Sequence, residues 1–138
     1  MMTATHNFTT STGNTFKAAL YLASATVNAS TTAYSTTGEV TGTNYTPGGV
    51  TVTNGTSPLS SNTSTTAGTG YWTPSASITY TNVTLSTAFD AVLIYNSSAS
   101  DKAVSVHTFG SQTVTAGTFT LTMPSNTTST ALLRLATT

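Results

Sequence analysis

The chain is expected to fold as an all-β protein, a β-sandwich of about eight short strands for which jelly-roll connectivity is one arrangement that fits. Three observations lead there. Threonine supplies about a quarter of the 138 residues, and its β-branched side chain suits a pleated, half-exposed strand better than a helix. Apolar and polar residues alternate over short runs, the period of a strand with one covered face. Turn-forming Gly, Pro and Asn separate those runs.

Taken in order, residues 1–14 form a polar N-terminal arm, and residues 15–138 form a single domain. Over 15–22, Phe16, Ala18, Leu20 and Leu22 share one face while Lys17, Ala19 and Tyr21 share the other, so a strand is expected; the alanines make a helix the rival. Residues 23–47 hold only short strand-like pieces around 37–41, broken by Gly38, Gly42 and Pro47, and read as a structured connection. After a Gly48-Gly49 turn, Val50 and Val52 alternate with Thr51 and Thr53, and Asn54-Gly55 supplies a tight-turn dipeptide. Residues 56–70 are almost all Ser, Thr, Asn and Gly, the composition of a long exposed loop.

The second half carries the clearest strands. Ile78 and Tyr80 alternate with Thr79 and Thr81, and Val83 and Leu85 continue on the other face after a bulge at Asn82. The run AFDAVLIYN at 88–96 is nearly continuous in apolar residues, as a central strand covered on both faces would be. A turn at 96–101 leads by a hairpin into 103–109, where Val104 and Val106 alternate with Ser105 and His107. Two further strands, 113–115 and 118–123, are separated by Ala116-Gly117, and 131–136 is the last.

Charge is the compositional outlier. Only 4% of residues are Asp, Glu, Lys or Arg, against about 25% in an ordinary domain. The six are Lys17, Glu39, Asp90, Asp101, Lys102 and Arg134, with a formal net charge of zero. Nucleic acid and anionic membrane surfaces are therefore not expected partners, since both require clustered cations. No run approaches the roughly 18–20 apolar residues of a membrane span, and AALYLASA at 18–25 reads as a strand rather than a signal-peptide core. Cysteine is absent, which excludes disulfides and thiolate metal sites. A free protein usually stays dispersed through surface charge, so this composition favours life inside an assembly.

Candidate chemistry is sparse. A nucleophilic triad would combine His6 or His107 with Asp90 or Asp101 and a serine, yet no Gly-x-Ser-x-Gly elbow occurs. The three acids are scattered, without the spacing of a metal site or of a glycosidic acid pair. Glu39 is expected to hydrogen-bond loop amides in its own motif, and Asp90 to pair with Arg134 or Lys17. No catalytic, cofactor-binding or metal-ligating residue is expected. Threonine arrays at 51–53, 118–120 and 120–122 lack the fixed repeat that ice binding requires. The candidate interface residues are Tyr34, Glu39, Tyr45, Tyr71 and Trp72, aromatics in glycine-bearing polar surroundings with one acid among them. Tyr34 and Tyr45 are expected to anchor a neighbouring subunit; the competing arrangement makes each aromatic a cap over the protein's own core.

The segment TTAYSTTGEVTGTNYTPGGV, with FKAALY at 16–21, FDAVLIYN at 89–96 and ALLRL at 131–135, resembles a family of small tailed-bacteriophage virion proteins. The resemblance spans roughly 16–135 and implies a non-enzymatic subunit on the particle surface. Head decoration, or cement, is the first expectation: a homo-oligomer bound to the major capsid protein or other virion subunits through non-ionic contacts. The alternatives are a tail, neck or fibre component that contacts a host receptor or another virion protein, and a secreted carbohydrate-binding β-sandwich module.

Overall fold

The computed structural model describes residues 5–61 and 68–136, and among them no helix occurs. Seven strands form two antiparallel sheets. They are β1 (Phe16–Leu22), β2 (Val50–Thr51), β3 (Leu59–Ser60), β4 (Thr69–Trp72), β5 (Ile78–Asn96), β6 (Lys102–Leu121) and β7 (Leu133–Ala136). The larger sheet has the order β2-β1-β5-β6 and the smaller β3-β4-β7.

Both faces of the central strands are covered, as the apolar run at 88–96 requires. Phe16, Ala18 and Leu20 of β1 join Val92 and Ile94 of β5 in the larger core, to which the small sheet contributes Trp72 and Leu133. Ala19 and Tyr21 join Ala91, Leu93 and Tyr95 in a second core on the opposite face, roofed by Ala25, Val27 and Tyr34. The 23–47 connection is thus the cover of a sheet face.

Two long strands replace the several short ones expected, because bulges do the work that turns were expected to do. Asn82 adopts φ 52° and the β5–β6 register shifts between Tyr80 and Val83. The extra residue flips the alternation, so Val83 and Leu85 stay on the face of Ile78 and Tyr80 in the larger core, not on the other face. Ala116, at φ 44°, is likewise a bulge within β6, so 103–109, 113–115 and 118–121 merge into one strand, which ends two residues before the expected 123. The hairpin between β5 and β6 turns through Ser100 and Asp101, both at positive φ.

The middle of the chain also departs from expectation. Asn54-Gly55 makes no hairpin turn: Asn54 Oδ1 accepts from Trp72 Nε1 at 3.1 Å, and Gly55 N–H donates to Ser75 Oγ. The polar loop expected at 56–70 contains β3 and the start of β4, while its residues 62–67 lie outside the described residues.

Candidate functional site

The outer edge of β1 is covered first by β2 and then by residues 38–40, which follow Val40 N–H to Leu20 O at 3.0 Å and Leu22 N–H to Gly38 O at 2.9 Å. That pairing places Glu39 opposite Tyr21 and turns its side chain into the protein, where the residue is only 7% exposed. A buried carboxylate needs donors, and three converge on it. Tyr34 Oη donates to Oε2 at 2.6 Å; Tyr45 Oη and Gly48 N–H both donate to Oε1 at 2.8 Å. The Gly48 contact fulfils the expected bond to a loop amide.

Each donor is itself held by the large sheet. Leu20 N–H donates to Tyr45 Oη at 3.0 Å, and the Tyr45 ring stacks on Tyr80, whose own Oη reaches Ala18 O. The Tyr34 ring stacks on Tyr95 with centroids 4.7 Å apart, and Tyr95 Oη donates to Gly48 O at 2.8 Å. Burial, reinforced by Glu39, pushes the Tyr34 and Tyr45 phenols far above their ordinary range, and burial with the nearby Asp101 takes Tyr95 up to about 12. The phenols therefore remain donors wherever the fold survives.

The glycines of the segment are dictated by this arrangement. Gly48 and Gly49 lie at φ 89° and 73°, and a Cβ on Gly49 would fall 1.7 Å from Ala18 O. Only glycine lets the chain turn against β1 while delivering the Gly48 amide to Glu39.

Of the five candidate interface residues, the structure brings Tyr34, Glu39 and Tyr45 together and puts Tyr71 and Trp72 elsewhere. Tyr45 is 8% exposed with its hydroxyl engaged on both sides, so it is a plug within its own chain and not an anchor for a neighbour. Trp72 is core as well: its indole donates to Thr56 O and Asn54 Oδ1, and Phe8 packs 4.6 Å from it. Tyr71, half-buried on β4, lies between Leu59 of β3 and Arg134 of β7. Around it is a mainly apolar groove of about 180 Å³ lined by Phe8, Leu59, Trp72, Leu133 and Leu135, with one charged residue, Arg134, among the lining. Leu59 and Leu135 are 50% and 66% exposed, the large hydrophobics that the described surface leaves open.

Sequence reasoning missed two further features. Tyr21, Tyr80 and Tyr95 belong to the same brace, unseen because their partners are remote in sequence. Asn96 is completely buried and holds the N-terminal arm: its Nδ2 faces Thr5 O, His6 Nδ1 and Asn14 Oδ1, while its Oδ1 accepts from Ser98 N–H. The expected ion pair of Asp90 with Arg134 is replaced by Arg134 donating to Ser129 O. His107 sits 3.0 Å from Ser105 Oγ, and its pKa is lowered by burial. Among the described residues, no three His, Asp or Glu side chains converge as a metal site would require. No protein-family model, curated protein or solved structure matches the chain.

Proposed function

We propose that the protein is a bacteriophage virion structural subunit of the head-decoration type, seated on the capsid through non-ionic contacts. The observation that carries this reading is the groove on the small sheet, where Leu59 and Leu135 stand open beside Tyr71 in a molecule almost without charge. Open apolar side chains around a pocket are the anchors that protein interfaces use. Support also comes from the Glu39 brace: the segment that carries the family resemblance ties a loop rigidly to a sheet, a mechanical duty suited to a shell under load.

The test is fractionation of purified virions into heads and tails, followed by washing of each fraction. The protein is expected in the head fraction, retained through 1 M salt, where the Debye length is about 3 Å, and released by denaturant. Recovery with tails would favour the tail, neck or fibre reading. Release by salt alone, or glycan binding by the isolated protein with no particle association, would overturn the proposal.

A further inference from the structure

β6 is the edge strand of the large sheet and runs for 20 residues. Among the described residues its outer side is paired at its start, where Ala33 bridges Lys102 and Ala103 N–H donates to Thr32 O at 2.9 Å. The covering chain then leaves the edge and opens a cleft of about 620 Å³, with Val27, Asn28 and Thr31 on one wall and Val104, Val106 and Thr108 on the other. Val104 packs with the larger core and Val106 with the smaller one, so residues from both faces of β6 line this cleft. It therefore looks onto the strand's edge. From there to Leu121, no other strand of the described residues pairs with that side.

Such an edge is a row of unpaired amides and carbonyls, and proteins that remain single usually protect it with lysine, proline, shortness, bulges or a covering segment, of which β6 beyond its start has bulges, as at Ala116. Residues 103–121 contain no Lys, Arg, Asp, Glu or Pro; the one charge is Lys102 at the end that is already covered. The opposite edge of the same sheet is different, since β2 is two residues long and residues 38–40 cover what it leaves.

We propose that a second copy of this chain pairs on this edge, β6 against β6 and antiparallel, about a two-fold axis near Gln112. Two-fold pairing sets the stretch against its own reverse. Gln112 then meets its own copy at the centre, flanked by Ser111 against Thr113. A charged edge would repel itself in this arrangement, whereas this uncharged one does not. The pairing gives the homo-oligomer that the family resemblance implies a place on the fold, and its test uses protein without particles, so this idea and the proposed function can fail separately.

Sedimentation velocity of the isolated chain over a concentration series tests the pairing. The wild type is expected to dimerise. Thr113→Lys combined with Thr115→Lys puts cations on two exposed edge positions near the axis, and should weaken the dimer at least about tenfold. Thr81→Lys, exposed on interior β5, should leave it unchanged. Hydrogen exchange of the wild type adds a measurement independent of any variant: amides within 104–121 should gain protection as concentration rises. A wild type that is monomeric throughout, a cyclic trimer, a lysine variant that dimerises undiminished, or edge amides whose exchange ignores concentration would each overturn the proposal.

Discussion

Residues 31–50 and strand β6 are of similar length and opposite in character. The first stretch has no regular strand before its last residue, only isolated bridges, yet it buries Glu39, Val40, Tyr45, Gly48 and Gly49. The second is one continuous strand in which no residue is fully buried. Regularity is therefore a poor guide to what is fixed in this protein. The irregular stretch is held by side-chain hydrogen bonds to the neighbouring sheet, and β6 is held along one side only.

Substitutions can break or sharpen that contrast, and the strand that both regions lean on provides the upper reference. Leu93→Ala in β5 removes a completely buried side chain and should cost about 2–5 kcal/mol in denaturant unfolding, since a cavity replaces a filled site. Within the irregular stretch, Glu39→Ala leaves two phenols and the Gly48 amide without their acceptor. A loss of about 2–4 kcal/mol is expected, the range for buried hydrogen bonds to a charged group and the donors stranded by its removal. Tyr45→Phe, which keeps the ring and deletes the hydroxyl, should cost about 1–2 kcal/mol. Thr113→Ser on β6 should fall within about 0.5 kcal/mol of wild type, as exposed positions usually do. Comparable losses at Tyr45 and Thr113 would erase the distinction between the two regions.

The smallest expected effect concerns pH. Asn96 Nδ2 faces Thr5 O, Asn14 Oδ1 and His6 Nδ1 at once, so a proton on Nδ1 would be set against the amide's own two hydrogens. Burial lowers the His6 pKa, nearby positive charge including Lys102 lowers it further, and a backbone hydrogen bond at Ala103 opposes this. A folded pKa below the unfolded value means that the unfolded arm binds the proton first. The arm's contribution is thus complete above the ordinary histidine pKa of about 6.5 and declines as pH falls from there toward the depressed folded value. Amides of residues 7–15 should exchange faster as pH falls through that window, after correction for intrinsic rates, and His6→Gln should flatten the dependence.

Much of the large sheet was legible in the sequence. The alternation at 15–22 divides between the two cores as expected, and the apolar run at 88–96 is central because a doubly covered strand has no polar face to show. The bulge at Asn82 was legible, though not the face it leaves Val83 and Leu85 on, and the bulge at Ala116 was not. Ala116-Gly117 carries the composition of a turn, and local composition cannot tell a chain that reverses from one that adds a residue and continues. Glu39 was legible as a partner of a loop amide, supplied by Gly48, but not as the acceptor of two phenols. Tyr45 was not, because composition does not say whether an aromatic ring meets its own sheet or another molecule; the answer rests on Leu20 and Tyr80, which are distant in sequence. Leu59 and Leu135 were passed over for the opposite reason, since each sits among polar residues without a pattern that marks it as exposed.

The central claim is that the aromatic and glycine-rich stretch is an internal brace built around Glu39. Urea unfolding of Glu39→Ala at a concentration where the protein is monomeric tests it most directly, with sedimentation of the same variant run alongside. A midpoint lowered by the equivalent of about 2–4 kcal/mol with an unchanged m-value is expected, in a chain that still self-associates under conditions where it remains folded. An unchanged midpoint together with lost self-association would contradict the account and return Glu39 and its tyrosines to an interface.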